Sequence, residues 1–134
     1  MDQAARMGAE AGTDPYYDRK ERLSRVTDML LPDEQVLAVF DMKGGGTGFL
    51  GVTTKRLIVY DKAFLRKMKA TVSVPFSRVQ SVAAEDESGL FTGRGFWGTS
   101  KLVVATSHKE YEFEFRGSDK AHHAHQLIVG LLID

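Results

Sequence analysis

The chain has 134 residues, no cysteine, and 18 basic against 18 acidic side chains. That length supports a single hydrophobic core without covalent staples, and the missing cysteine excludes disulfides, thiolate metal sites and cysteine nucleophiles. A formal charge of zero argues against a dedicated nucleic-acid binder, whose affinity rests on phosphate contacts, and removes net repulsion between copies.

Residues 1–13 are small, polar and aperiodic, which predicts a mobile tail. A helix is expected over 14–31, with Asp14 as N-cap, Pro15 at the first helical position and Pro32 as its stop. Tyr16, Leu23, Val26 and Leu30 fall on one stripe of that helix, with Arg19, Lys20, Arg22 and Arg25 elsewhere. Residues 32–134 then form the main domain.

Seven β-runs follow, near 36–42, 47–53, 55–61, 70–75, 79–85, 100–106 and 109–116. The last alternates, Tyr111, Phe113 and Phe115 against Glu110, Glu112 and Glu114, so one face meets a core and the other water. The first and third runs break that rule, because Val36 to Phe40 and Leu57 to Tyr60 are apolar on both faces. Something must cover the second face, either the N-terminal helix or another copy of the chain. Left bare it would be an apolar patch of several hundred Å² (roughly), larger than monomers usually show, and homo-oligomerisation is therefore expected. A closing helix, capped by Ser118 or Asp119, carries Ala121, Ala124, Leu127, Ile128, Leu131 and Leu132 on one broad stripe. Seven strands followed by one helix predict a mainly β sandwich or barrel with one open end plugged by that helix. Such a scaffold binds more often than it transforms.

The block GFLGVTTKRLIVYDK at 48–62 resembles the bacterial pleckstrin-homology (PH) family, particularly its YokE-like branch, and VPFSRVQSV at 74–82 is similar to the same branch. The resemblance covers about residues 30 to 133. It implies two nearly orthogonal antiparallel sheets, of four and three strands, with the C-terminal helix closing one corner, in an intracellular bacterial domain that often self-assembles. Relatives that bind phosphoinositides cluster Lys and Arg around the first inter-strand loop. Here that loop, Met42 to Gly46, has the single cation Lys43, so the resemblance does not bring that site with it.

Two stretches spell G-x-G-x-x-G, at Gly46-Gly48-Gly51 and Gly93-Gly95-Gly98, but both lead into strands rather than helices. Tight turns and close packing explain them better than a dinucleotide does. The loop from Gly89 to Gly98 sets Leu90, Phe91, Phe96 and Trp97 among glycines. Its aromatics tuck under the sandwich, anchor a partner or another copy together with Arg94, or insert into a membrane interface; Phe91, Arg94, Phe96 and Trp97 are the candidate partner-binding residues.

Between Lys55 and Lys69 six cations face only Asp61, with Phe64, Leu65 and Met68 interleaved. Each cation near an anionic leaflet contributes about 1 kcal/mol, so three or four facing one way give only about millimolar binding. Membrane contact through Lys62, Phe64, Arg66, Lys67 and Lys69 therefore needs aromatic insertion or several copies together. His122, His123 and His125 start the last helix, but a zinc site needs ligands beyond two imidazoles on one face. No nucleophile elbow, H-E-x-x-H pair or isolated carboxylate dyad is present. The sequence thus predicts a non-catalytic, cytoplasmic PH-like scaffold module that self-associates and binds protein. No cofactor, metal or nucleic acid is expected, and peripheral binding to anionic membrane is the alternative.

Overall fold

The computed structural model describes residues 14–43, 48–61, 71–86 and 98–133. The tail expected over 1–13 lies outside them. In chain order the elements are β1 (Tyr16–Tyr17), α1 (Lys20–Met29), β2 (Val36–Asp41), β3 (Gly48–Thr53), β4 (Arg56–Asp61), β5 (Val72–Pro75), a 3-10 turn (Phe76–Arg78), β6 (Val79–Asp86), β7 (Thr99–Thr106), β8 (Glu110–Arg116) and α2 (Lys120–Leu132). The seven expected strands are all present. They form one sheet in the order β1-β2-β3-β4-β5 and another in the order β6-β7-β8. The expected four-plus-three antiparallel arrangement therefore gains a fifth strand, the two-residue β1, which pairs parallel with Ala38 and Val39.

That short strand corrects the N-terminal helix. Asp14-Pro15 is a good local start, yet the helix begins only at Lys20, after an N-cap residue, Arg19, that makes no side-chain capping bond. Tertiary pairing outweighs the local signal: the Asp18 amide donates to the Val39 carbonyl at 3.1 Å, and the Asp18 carboxylate accepts from the Asp41 amide at 2.8 Å. The segment before Lys20 is thereby held extended against β2. At the other end the helix stops at Met29 and Leu30 is already extended, two residues ahead of Pro32.

The alternation of β2, β3 and β4 sorts their side chains into two cores. Ala38, Phe40, Leu50, Val52, Leu57 and Val59 point between the sheets, where they meet Leu102, Val104, Phe113 and Phe115 and the α2 residues Ala121, Ala124 and Ile128. On the opposite face Val39, Phe49, Ile58 and Tyr60 pack with Val26 of α1, flanked by Leu23, Met29, Leu30 and Val36. Burying each such side chain stabilises by about 1.5–3 kcal/mol, so the strip under α1 contributes several kcal/mol.

The doubly apolar strands thus find their cover inside one chain. Val39, Phe49, Ile58 and Tyr60 are all buried by the chain's own α1. The need for a second copy, which the sequence pattern raised, does not arise at this face.

Two polar devices hold the covers in place. Glu34, buried beside the end of α1, accepts from Arg56 Nε at 2.8 Å, from Thr53 Oγ1 at 2.6 Å and from the Leu31 amide at 2.9 Å. Arg56 in turn donates to the Met29 carbonyl at 2.8 Å, tying the helix terminus to the β3–β4 hairpin. At α2 the expected Ser118 or Asp119 cap is replaced. Asp119 is the N-cap residue but makes no side-chain cap. Buried Ser100 of β7 accepts from the Ala121 amide at 3.0 Å and donates to the Gly117 carbonyl at 2.8 Å.

Candidate functional site

Strand register gathers three connectors at one end of the sandwich. Asp41 lies opposite Phe49, and Gly48 opposite Asp61, so the ends of β2, β3 and β4 stand side by side. In the second sheet Asp86 pairs with Ser100, and Ser100 with Phe115. The Lys43 amide donates to the Glu114 carbonyl at 2.8 Å, which joins the two groups of strand ends. The connectors spanning 44–47, 62–71 and 87–98 leave from this end. The candidate partner-binding residues Phe91, Arg94, Phe96 and Trp97, and the alternative lipid set Lys62, Phe64, Arg66, Lys67 and Lys69, belong to these connectors and lie outside the described residues.

Beside the same end runs a polar cleft of about 290 Å³ lined by Asp18, Arg19, Arg22, Asp41, Met42, Arg116 and Lys120. It is built from five parts of the chain: the N-terminal segment, α1, the end of β2, the end of β8 and the start of α2. Arg19 Nε meets Asp41 Oδ2 at 2.8 Å, and Arg22 Nη1 stands 3.7 Å from Asp41 Oδ1. Lys120 Nζ donates to Tyr16 Oη and to Asp18 Oδ1, and the Tyr16 hydroxyl also donates to Asp18.

Protonation in the cleft follows from that geometry. Burial works against the charge of Asp18, but hydrogen bonds from Lys120, Tyr16 and the Asp41 amide outweigh it and hold the carboxyl below its ordinary value. Burial likewise opposes the charge of Lys120, and its bonds to Asp18 and Tyr16 win, raising its pKa. Asp41 goes the other way, because burial outweighs the attraction of Arg22 and Arg19 and pushes its carboxyl up.

Sequence reading missed this cluster. Asp18 and Lys120 are 102 residues apart, and no local pattern connects them.

A second, shallower hollow of about 300 Å³ is lined by Glu21, Arg22, Arg25, Phe49 and Tyr60. The Phe49 and Tyr60 rings stack 5.2 Å apart at 17°. The Arg22 guanidinium lies 5.5 Å above the first ring and that of Arg25 5.0 Å above the second. The arginines of α1 therefore seal the aromatic strip from above.

His123 is edge-on to Tyr16 and Phe40, with ring centres at 5.1 and 5.4 Å. Among the described residues no group of three metal-ligating side chains comes together. Gly48 and Gly51 of the first G-x-G-x-x-G stretch sit within β3. There Gly48 offers its carbonyl to Arg22 Nη1 at 2.6 Å, and Gly51 admits Val26 of α1.

A family model described as bacterial PH domain matches residues 30–129, and the chain belongs to that family. The match begins at Leu30, directly after α1. Among solved structures, a pleckstrin homology domain from Shewanella amazonensis SB2B is similar at 18% identity and a TM-score of 0.62, covering 87% of this chain and all of that one. A DUF1696 family protein with a pleckstrin-homology domain from Shewanella loihica PV-4 is also 18% identical, with a TM-score of 0.56, covering 84% and 94% respectively. No curated protein matches the chain.

Proposed function

We propose that the chain is a non-catalytic PH-like module, of the YokE-like branch, that self-associates and serves as a protein-interaction or scaffold unit inside the cell. The observation that carries the binding role is the convergence of three connectors at one end of a rigid sandwich, two of them rich in aromatic and basic residues. Loops held by a fixed scaffold are where binding residues concentrate, and Phe91, Arg94, Phe96 and Trp97 are of the types that anchor interfaces. The shifted groups Asp18 and Lys120 pair with each other and Glu34 pairs with Arg56, joining the N-terminal segment to α2 and the end of α1 to the β3–β4 hairpin, which supports a structural rather than a catalytic use. Self-association no longer draws support from the apolar strands that first suggested it, since α1 covers their outer face; its remaining support is the family resemblance and a formal charge of zero, which leaves no net repulsion between copies.

Affinity capture from cells with the intact chain, compared with a Phe96→Ala/Trp97→Ala double variant, tests this reading. A partner that purifies with the intact chain, binds it directly when isolated, and is lost with the variant is the expected result. A partner held equally by both excludes the loop end as the binding surface.

The second reading is peripheral membrane binding, favoured by Lys62, Arg66, Lys67 and Lys69 on a connector at that same end. It requires salt-sensitive flotation with anionic vesicles. Equal recovery on neutral and anionic vesicles rules it out.

A further inference from the structure

The charges of the polar cleft do not balance. Among the described residues Arg19, Arg22, Arg116 and Lys120 line it against Asp18 and Asp41, a surplus of positive charge in a chain whose formal charge is zero. A concave site lined mainly by one sign concentrates counter-ions from solution.

Its hydrogen bonds do not balance either. Asp18 Oδ1 accepts from Lys120 and Tyr16, and Oδ2 accepts from the Asp41 amide at 2.8 Å. Asp41 Oδ2 is held by Arg19 Nε at 2.8 Å, while Oδ1 is buried with Arg22 Nη1 3.7 Å away. The carboxylate oxygens are therefore engaged or covered. Donors remain. Arg19 commits Nε to Asp41, and its Nη1 stands 3.8 Å from Glu21 Oε1, beyond hydrogen-bond reach. Lys120 donates to Asp18 and Tyr16 and keeps a third proton. Among the described residues no hydrogen bond or ion pair engages the exposed Arg116 side chain.

We infer that the cleft binds a small dicarboxylate, with one carboxylate at Arg19 beside Arg22 and the other at Arg116 and Lys120. The first pair belongs to the start of α1, the second to the junction of β8 and α2. Three features select this class of ligand. A guanidinium fork takes a planar carboxylate through two parallel bonds, and arginines predominate among the lining cations. The surplus positive charge is matched by a pair of carboxylates. Met42, the single apolar residue of the lining among the described residues, offers a surface to the methylenes between them. A volume of about 290 Å³ stands at the small end of ligand sites and suits a molecule of a few carbons rather than a polymer. Such a ligand bridges the N-terminal segment to the start of α2. It uses none of the connector residues assigned to partner binding, so the inference stands apart from the proposed interaction role.

Calorimetric titration of the full chain with succinate, acetate and inorganic phosphate tests it, at matched low ionic strength because salt screens exposed cations. Amide shifts followed by NMR on the intact chain locate the site without any variant. Succinate is expected to bind once per chain, about tenfold or more tightly than acetate or phosphate, and to move the Asp18, Met42 and Lys120 amides. Arg116→Gln removes a cation that the fold does not pair, so the free variant should keep its thermal midpoint while succinate binds about tenfold more weakly. Arg78→Gln, on an exposed residue of the 3-10 turn, should bind as the intact chain does. Phosphate or acetate binding as tightly as succinate overturns the dicarboxylate assignment. Succinate binding untouched by Arg116→Gln, or shifts confined to amides outside the cleft, overturns the site. Absence of saturable binding and of any shift at millimolar succinate overturns both.

Discussion

Gly51 of β3 lies directly beneath Val26 of α1: a Cβ placed on the glycine would stand 3.1 Å from Val26 Cγ2. The helix that covers the outer face of the first sheet owes its closeness to that absent side chain. In an ordinary strand, replacing glycine by alanine gains about 0.5–1 kcal/mol by reducing the freedom of the unfolded chain. Here overpacking against a fully buried valine costs about 1–3 kcal/mol and reverses the sign. Gly51→Ala is therefore expected to lower stability in urea by about 1 kcal/mol and to speed amide exchange in Lys20–Met29. Pairing it with Val26→Ala should relieve the clash and bring a positive coupling energy in a double-mutant cycle. A stabilised Gly51→Ala protein means that α1 does not sit tightly on β3.

The Glu34–Arg56 pair predicts a specific acid sensitivity. Burial opposes the charge on Glu34, but hydrogen bonds from Arg56, Thr53 and the Leu31 amide prevail, lowering its pKa from 4.5 to about 2. A carboxylate with a depressed folded value contributes stability that is complete above its unfolded pKa and disappears as pH falls through the folded one. That contribution is expected to fade between about pH 4.5 and pH 2. Glu34→Gln leaves Arg56 without its counter-charge and should cost about 3 kcal/mol near neutrality, while flattening the stability profile across that acid window. Urea titrations at intervals of pH provide the comparison.

Much of this fold could be read from the chain, because strand patterns are local. Alternation such as Tyr111, Phe113 and Phe115 against Glu110, Glu112 and Glu114 fixes a face without reference to anything distant, and the seven expected strands match the observed ones within two residues at each end. The start of α1 was not legible for the opposite reason. Asp14-Pro15 carries a sound local signal, but Tyr16 and Tyr17 are recruited by β2, about twenty residues further on. The cleft around Asp18 and Lys120 was equally hidden, since the pairing is purely tertiary. The two apolar faces were visible; which body covers the outer one depends on how α1 folds back, and the sequence pattern left both answers open. The aromatic and basic candidates of the connectors fall outside the described residues, so only the strand ends that carry them bear on their placement.

Lys120 offers a test of how the N-terminal segment is fastened. It ties Tyr16 and Asp18 to the first turn of α2. Lys120→Met should accelerate exchange of the Asp41 amide, which donates to the Asp18 carboxylate, and of the Asp18 amide, which holds the same segment to Val39, and lower stability by about 1–2 kcal/mol. Because the folded pKa of Lys120 is raised above 10.5, the native contribution is complete below that value and is lost as pH rises through the folded one. The variant should therefore show a flatter alkaline limb. Unchanged amide exchange would mean that β1 holds without the lysine.

Ser100 replaces the missing cap of α2, accepting from the Ala121 amide and donating to the Gly117 carbonyl. Ser100→Ala removes both bonds in a fully buried place and should cost about 1–3 kcal/mol. The strands should keep their exchange protection while the first turn of α2 loses its own. Loss confined elsewhere would assign the cap to another group.

That α1 seals its own chain's sheet is open to one decisive distance measurement. The chain has no native cysteine, so Ser24→Cys on exposed α1 and Lys55→Cys at the β3–β4 turn accept a pair of spin labels uniquely. Pulsed electron resonance of the doubly labelled protein, diluted into a tenfold excess of unlabelled chain, separates contacts within one copy from exchange between copies. A short inter-label distance that survives dilution at full amplitude is expected. Its disappearance on dilution would place α1 on a neighbouring copy and contradict the intramolecular cover.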